Sequence, residues 1–250
     1  MSDQSPIRLS KYMSQIGLCS RREADQFIEK GLVKVNGEII STLGKKIVPP
    51  VKVELLAEAK KIQDDKLSVI LYKPIGYVSG PREIEYPSAL DLVVESSRAQ
   101  SFGGPQLKTH LKNGLAPVGR LDVNTTGLLI LSSYGPLVKK VIGPDSTLEK
   151  EYIIRTASEP TPEQIEKLAS GTIVIDETYT VKPAKCHWNR EKQRLHLILT
   201  EGKKRQVRKM CEAAQLEIVA LKRIRVGPLT LKGLKSGEWR YLSFEEINQL

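Results

Sequence analysis

Residues 119–131 read GRLDVNTTGLLIL, a dense polar cluster followed by four apolar residues. The apolar run predicts a short buried strand, and the residues before it predict a turn. A carboxylate beside a buried strand needs a partner, because an isolated buried charge is costly. The residues alone leave two interpretations open: Asp122 caps the turn and pairs with Arg120, or Asp122 belongs to a site that uses its charge.

The elements around this stretch, within residues 67–250, mix strands and helices without a regular strand–helix–strand repeat. We expect strands at 69–72, 128–131, 194–199, 218–226 and 239–242, and helices at 136–142, 162–169 and 205–214. Residues 80–113 are rich in Gly, Pro and Ser, and they predict an insertion or flexible loop with one short helix near 89–94. The pattern predicts an α+β domain with a mixed, mainly antiparallel sheet.

The N-terminal part of the chain predicts a separate small unit. Apolar residues at helical spacing predict two helices, and Ser20-Arg21-Arg22-Glu23 has the pattern of a capping box at the start of the second. Asn36-Gly37 lies between two alternating segments and predicts a hairpin, with a further strand at 51–55. Residues 56–66 are polar and predict a linker. The predicted division is therefore a unit at 7–55, a linker at 56–66 and a larger domain at 67–250.

The charge of the chain indicates a polyanionic partner. Thirty-nine Lys and Arg against 29 Asp and Glu give a formal net charge of +10, and the excess concentrates in 7–54 and 201–225. Nucleic acid is the commonest such partner, and a basic surface that only maintains solubility is the alternative. The candidate phosphate contacts, at helix starts and in the second basic stretch, are Arg8, Lys11, Arg21, Arg22, Lys203, Lys204 and Arg205.

Several classes of protein are excluded or disfavoured. No apolar run approaches the roughly 18 residues of a membrane span and the start lacks an apolar signal region, so we expect a cytoplasmic protein. Three cysteines, Cys19, Cys186 and Cys211, do not make a disulfide scaffold. The cysteines and histidines match no zinc spacing, and no phosphate loop, GxGxxG, GxSxG or HExxH motif is present. We therefore expect neither a metal nor a cofactor.

Four segments resemble one family of enzymes. GRLDVNTTGLLIL is similar to the GRLDxxTxGLL signature of pseudouridine synthases, in the bacterial ribosomal branch that contains RsuA, RluB, RluE and RluF, with the RluF type as the nearest likeness. Three further segments match in the same order: KPIG at 73–76, KEY at 150–152 and EGKKRQVRKM at 201–210. The stretch RLSKYMSQIGLCSRREADQFIEKGLVKVNGEII, from Arg8 to Ile40, resembles an S4 RNA-binding domain, which commonly precedes such a catalytic domain.

The resemblance implies the chemistry of the site. Pseudouridine formation cuts the C1′–N1 bond of a uridine, turns the base and rejoins it through C5, without a redox cofactor or energy donor. Asp122 is then the catalytic carboxylate, which either attacks C1′ or removes the C2′ proton. A guanidinium should keep it ionised, and we expect this to be Arg208, with Arg205 second, because the two lie three residues apart on one helix. Tyr152 is expected to stack on the base and Val207 to form a wall of the site, whereas Arg120 is expected to contact RNA or to fill the site of the displaced base.

Two other functions compete with this one. In the first, the chain is a non-catalytic RNA-binding or ribosome-associated factor with an S4 domain, and the GRLD turn is structural. In the second, it is another RNA-modifying enzyme such as a methyltransferase, which the lack of a glycine-rich cofactor loop disfavours. The expected partner is ribosomal RNA, with the large-subunit 23S RNA favoured and 16S RNA or a tRNA as alternatives. We expect the protein to act as a monomer.

Overall fold

The structure, a computed structural model, describes residues 5–112 and 114–250. Its N-terminal unit packs two helices against short strands. The core of this unit is apolar and centres on Leu9, Met13, Phe27 and Ile28. Its elements in chain order are β1 (Ile7–Arg8), α1 (Leu9–Gln15), α2 (Arg21–Glu29), β2 (Val33–Val35), β3 (Glu38–Ile40), β4 (Lys46–Ile47), β5 (Val53–Leu55) and α3 (Ala57–Asp64).

Local sequence signals explain two of these elements. The Ser20 hydroxyl accepts a hydrogen bond from the Glu23 N–H, and the Glu23 carboxylate accepts one from the Ser20 N–H, so the predicted capping box is confirmed. Asn36 and Gly37 both have positive φ, the conformation that a two-residue hairpin turn requires between β2 and β3. The predicted hairpin is also confirmed.

The segment at 56–66 differs from the polar linker predicted for it. It contains α3, and Ala59 on that helix is fully buried against the N-terminal core. The sequence pattern did not predict this helix because the segment has few apolar residues. A small Ala at the contact point and the flanking Leu56 and Ile62 are enough to dock it. The division of the chain into domains at these positions stays a prediction.

The larger part of the chain is built on one mixed sheet. The strands and helices of this larger part are β6 (Ser68–Lys73), α4 (Thr109–Lys112), β7 (Ala116–Val118), β8 (Thr126–Ser132), α5 (Gly135–Ile142), β9 (Lys150–Thr156), α6 (Pro162–Ala169), β10 (Val174–Ile175), β11 (Tyr179–Thr180), β12 (Lys185–Asn189), β13 (Arg194–Leu199), α7 (Gln206–Ala213), β14 (Ile218–Val226), β15 (Leu229–Thr230), β16 (Trp239–Tyr241) and α8 (Phe244–Gln249). Within the described residues the sheet has nine strands in the order β12-β13-β9-β14-β8-β6-β16, with β15 on β14 and β7 on β8. Of these described strand pairs only β14–β8 is parallel, so the expected α+β class with a mainly antiparallel mixed sheet is confirmed.

The segment at 80–113, predicted as an insertion or flexible loop, is packed in its middle part, residues 88–99, and exposed at 81–86 and 100–106. The short helix expected near 89–94 is a 3₁₀ turn at Ala89–Leu92. Ala89 and Val93 are fully buried in the core cluster around Trp239. Small and apolar residues spaced between the glycines explain this packing. Asn113, the last residue of the segment, lies outside the described residues.

Helix α2 of the N-terminal unit contacts the end of α3 and the residues that follow it, and it also contacts the larger part of the chain. Glu23 on α2 pairs with Lys66 at 2.8 Å and accepts a hydrogen bond from Gln63 at the end of α3. The start of α2 also lies against the start of α5, where a Cβ on Gly135 would be 2.6 Å from the Ser20 nitrogen. Burial alone would raise the pKa of Glu23, but hydrogen bonds with Lys66 and Ser20 outweigh it and lower the pKa.

Candidate active site

Asp122 lies between two guanidinium groups at the end of a turn that leads into β8. Its Oδ2 is 3.4 Å from Nε of Arg208 and 3.8 Å from Nη1 of Arg205. Among the described residues its partners are therefore Arg208 on α7 and Arg205 just before that helix, and not Arg120, which is exposed. Within the described residues the Asp122 carboxylate accepts no hydrogen bond, so its oxygens are held by charge and stay open to a substrate.

Arg208 also holds the backbone that carries Asp122. Its Nη2 donates to the main-chain carbonyl of Asn124 at 3.0 Å and to Oγ1 of Thr125 at 3.2 Å. Thr125 closes the turn by donating its N–H to the carbonyl of Asp122. One guanidinium therefore supports both the charge of the carboxylate and the shape of the turn.

Lys73 of the KPIG segment and the nearby Ser79 form hydrogen bonds with the backbone of the same turn. The fully buried Lys73 ammonium donates to the carbonyls of Pro74 and Tyr77, at 2.8 and 2.9 Å, and to that of Val123 at 3.4 Å. Ser79 both donates to the Leu121 carbonyl and accepts from the Leu121 N–H. Burial lowers the pKa of Lys73 to about 8, although the charge of Asp122 acts in the opposite direction.

A cavity opens directly in front of the carboxylate, and we call it the Asp122 cavity. Tyr152, only 9% exposed, lies on one wall, and Val207, 5% exposed, lies on another. The remaining walls come from both apolar and basic side chains: Arg120, Leu121, Thr125, Leu199, Lys203, Arg205, Arg208 and Leu221. An aromatic ring and a carboxylate in one concave site suit a planar base joined to a sugar.

Two polar residues that the sequence patterns did not predict to interact, Glu201 and Gln206, hold the loop before α7 in place. The Glu201 carboxylate accepts from the Gln206 amide, the Tyr179 hydroxyl and the Lys182 N–H, and Gln206 accepts from the Lys203 N–H. Arg205 then turns the chain into the helix with a φ of 55°, a left-handed conformation that is uncommon for a residue other than Gly. The Glu and Gln at fixed positions in the EGKKRQ motif were the available signal for this loop.

The remaining basic residues expected to contact RNA are all on the surface. Lys203, Lys204 and Arg205 are exposed on the loop before α7 and line, with Arg120, an outer cleft of about 850 Å³ above Asp122. Exposed residues of the N-terminal unit lie at or near the starts of α1 and α2: Arg8, Lys11, Arg21 and Arg22.

A groove joins these two basic regions. Arg21 and Ser20 line it on one side, and Lys139, Ile142 and Gly143 of α5 and its end line it on the other. Ile142 also lines the outer cleft. The groove between the two parts of the chain therefore leads to the mouth of the site.

The described residues contain neither a metal-binding cluster nor a membrane-spanning helix. Within the described residues, no three His, Cys, Asp or Glu side chains come together in a group that could hold a metal ion. Cys19, Cys186 and Cys211 are free thiols, and burial raises the pKa of each to about 12. No helix in residues 5–112 or 114–250 has the length and apolar character needed to cross a membrane.

Comparison with known families agrees with this geometry. Residues 67–213 match the RNA pseudouridylate synthase family, and residues 7–49 match the S4 domain. The chain belongs to the RNA pseudouridine synthase family. The part of the chain that carries Asp122, Tyr152, Arg205 and Arg208 lies within the first match, and the unit that carries Arg21 and Arg22 lies within the second.

Several members of the family are similar over nearly the full chain. The dual-specificity RNA pseudouridine synthase RluF of Escherichia coli K12 is 34% identical over 253 residues, covering 100% of this chain and 80% of the relative. The ribosomal large subunit pseudouridine synthase B of Bacillus subtilis is 32% identical, covering 97% and 95%. A crystal structure of a pseudouridylate synthase superposes with a TM-score of 0.65 at 25% identity, covering 97% and 99%. The chain is therefore an RNA pseudouridine synthase with an N-terminal S4 domain.

Proposed function

We propose that this enzyme converts a specific uridine of ribosomal RNA to pseudouridine, with 23S RNA as the favoured substrate. The observation that carries the catalytic part is the position of Asp122, charged, without a hydrogen bond among the described residues, and facing a cavity walled by Tyr152. The name of one relative, a ribosomal large subunit pseudouridine synthase, supports ribosomal RNA as the substrate. We propose further that the enzyme acts in the cytoplasm and as a monomer.

Each group has a role that follows from its place. The Asp122 carboxylate attacks C1′ or removes the C2′ proton of the bound uridine, and Arg208 pairs with it and holds the turn that carries it. Tyr152 stacks on the base, while Val207 closes the apolar side of the cavity. A uridine can reach this cavity only after leaving its own stack, at a cost of about a few kcal/mol.

The basic surfaces supply the free energy for this extrusion. Phosphates along the RNA would contact Lys203, Lys204 and Arg205 at the outer cleft and Arg21 and Arg22 on the S4 unit. Each phosphate that is neutralised releases counterions, and the affinity should therefore fall steeply with salt. Arg120 lies beside Asp122 at the mouth and is placed to contact the strand next to the extruded base.

The test is release of tritium from RNA labelled at uridine C5, because the C5 hydrogen is lost when C5 joins C1′. The substrate is total ribosomal RNA from cells that lack the gene, and Asp122→Asn is compared with the wild type. We expect release by the wild type and none by the variant. Asp65→Asn, the same change at an exposed position on the far end of α3, should release tritium like the wild type.

Two outcomes would contradict the proposal. If the wild type releases no tritium from naked RNA or from ribosomal precursor particles, the enzyme acts on another RNA or only binds RNA. If a folded Asp122→Asn variant retains the wild-type rate, another group performs the chemistry. Near-identical melting curves of the two Asn variants establish that lost activity is not lost folding.

A further inference from the structure

A second cavity lies beside the Asp122 cavity, and we call it the Lys150 cavity. Its volume is about 270 Å³. It shares Arg120, Tyr152, Gly202 and Lys203 with the Asp122 cavity, so the two spaces meet around the tyrosine. A base that stacks on Tyr152 would therefore present part of its edge to the Lys150 cavity.

Two buried cations form part of its lining next to that tyrosine. Arg223 on β14 is directly opposite Tyr152 on β9, and opposite residues of paired strands project to the same face of a sheet. Lys150 precedes Tyr152 by two residues on β9 and thus lies on the same face. Lys150 is 7% exposed and Arg223 is 5% exposed.

Neither cation has an acidic partner within the described part of the chain. The Arg223 Nε donates to the Leu128 carbonyl, but its buried Nη2 has no hydrogen-bond partner there. The Lys150 ammonium makes neither an ion pair nor a hydrogen bond with residues 5–112 or 114–250. Burial and the nearby Arg223 charge lower the pKa of Lys150, although Glu201 acts in the opposite direction.

Glu201 is the carboxylate in the lining of this cavity, and its oxygens are already engaged. They accept hydrogen bonds from the Tyr179 hydroxyl, the Lys182 N–H and the Gln206 amide. Two like charges that are buried this deeply are costly unless a negative group joins them. The structure thus has a positive site in need of an anion next to the place where the base should stack.

The reaction produces such an anion. When the C1′–N1 bond breaks, its electron pair stays with the uracil ring, spread over N1 and the ring carbonyls, while Asp122 bonds to C1′ or takes the C2′ proton. The pair of electrons that forms the new C5–C1′ bond comes from this ring. In the same step either the Asp122–C1′ bond breaks and its electron pair returns to the carboxylate, or Asp122 gives the proton back to C2′. The C5 proton then leaves, and N1 takes up a proton.

We propose that Lys150 and Arg223 form a catalytic cation pair that stabilises the negative charge on the detached uracil, an assignment that rests on the proposed function. Fixed charges in a sheltered site are most effective where charge develops during the reaction. An RNA phosphate is the other anion that could reach this region. The exposed Arg120, Lys182 and Lys203 at the rim suit a phosphate better, because the RNA backbone stays near the solvent.

The test compares Lys150→Met with wild type in single-turnover tritium release from the same ribosomal RNA. Methionine keeps an unbranched side chain and removes the charge, and we expect the variant to fold. The maximal rate should fall about 100-fold, the size typical for loss of one such group, while the half-saturating enzyme concentration changes less than about twofold. Lys150→Arg should recover most of the rate. Lys192→Met, the same change at an exposed turn between β12 and β13, should behave like wild type.

A second arm uses ribosomal RNA transcribed with 5-fluorouridine, followed by digestion and chromatography to measure consumption of this nucleoside. Fluorine makes the base a better leaving group, so the rate depends less on stabilisation of the detached base by the cation pair. The deficit of Lys150→Met should therefore be smaller with 5-fluorouridine than with uridine. A purely structural defect would slow both substrates equally, and that result would overturn the proposal. Should Lys150→Met fail to fold, Lys150→Gln and Arg223→Lys are measured in both arms.

Other outcomes separate the two proposals. An unchanged maximal rate, with weaker binding and a salt slope lower by about one, would identify a phosphate contact and overturn the cation-pair role. An active wild type with an unaffected Lys150→Met variant would overturn this inference alone. A wild type that releases no tritium would overturn the proposed function together with it.

Discussion

Asp122 and Arg208 form an ion pair that is not a hydrogen bond. The Asp122 Oδ2 lies 3.4 Å from Nε of Arg208, and this buried Nε has no hydrogen-bond partner within residues 5–112 and 114–250. The hydrogen bonds of the guanidinium go instead to Asn124 and Thr125. The guanidinium places a positive charge beside the carboxylate without using its lone pairs. Such a carboxylate is free to act as a nucleophile or as a base.

Replacement of Arg208 by Lys should show that the shape of the group matters as well as its charge. A lysine ammonium cannot reach the Asn124 carbonyl, Thr125 and Asp122 together, because it lacks the planar fork of donors. We expect the maximal rate of tritium release to fall about 100-fold. Arg205→Lys, at a side chain that is 47% exposed and 3.8 Å from the carboxylate, should cost less than about tenfold. Equal losses in the two variants would contradict the assignment of Arg208 as the principal partner.

Gly127 should tolerate no side chain, because β8 and β14 approach one another too closely there. A Cβ on Gly127 would lie 2.1 Å from the Arg223 carbonyl oxygen, and its φ of 116° disfavours any other residue. We expect Gly127→Ala to lower the free energy of unfolding by about 3 kcal/mol or more, measured by urea denaturation. Gly80→Ala introduces the same methyl group where no heavy atom of the described residues, apart from the adjoining backbone, lies within 4 Å, and it should change stability little.

The fully buried Lys73 should make stability depend on pH in the alkaline range. Its pKa is about 8 in the folded chain, against an ordinary value of 10.5. Between these values the unfolded chain holds the proton and the folded chain does not, so a rise in pH favours the folded state. The free energy of unfolding of the wild type, minus that of Lys73→Met, should therefore increase from pH 8 to pH 10, by at most about 1.4 kcal/mol per pH unit. A difference that is flat or falls over this range would contradict the assignment.

Sequence patterns predicted the local elements and one long-range contact better than the remaining geometry of the site. The capping box at Ser20 and the Asn36-Gly37 hairpin depend only on neighbouring residues, and both are present. The pairing of Asp122 with Arg208 was predicted through the family resemblance, which makes Asp122 a carboxylate in need of a guanidinium, whereas the residues alone left Arg120 open as its partner. In contrast, the hydrogen bond from Lys73 to the Val123 carbonyl joins residues that are 50 positions apart in the sequence. Nothing in the spacing of a lysine predicts that it will be buried among carbonyls.

The helix α3 shows a different limit of the sequence. Its residues are mostly polar, and the apolar pattern that normally identifies a helix is therefore weak. The helix forms because Ala59 fits against a core that already exists, and because Glu23 holds Gln63 and Lys66 at its far end. These contacts belong to the assembled fold, and a pattern restricted to 56–66 does not contain them.

The S4 unit should contribute to binding and leave the chemical step unchanged. Arg21 and Arg22 are exposed at the start of α2, and Arg21 lines the groove that leads past Ile142 to the outer cleft. In the double variant Arg21→Gln and Arg22→Gln, we expect the half-saturating concentration for ribosomal RNA to rise, while the maximal rate stays within about twofold. If each arginine neutralises one phosphate, the slope of log affinity against log salt should fall in magnitude by about 1.4 to 1.8.

A matched control locates this effect on the S4 unit. Lys192→Gln with Arg194→Gln removes the same charge at the outer edge of the sheet, near the turn between β12 and β13. This variant should keep the wild-type salt slope, because the lost charges lie away from the groove. If both double variants lower the slope equally, the RNA responds only to the net charge of the protein. If the S4 variant lowers the maximal rate and leaves binding intact, the unit instead helps to assemble the site through its contact between Ser20 and Gly135.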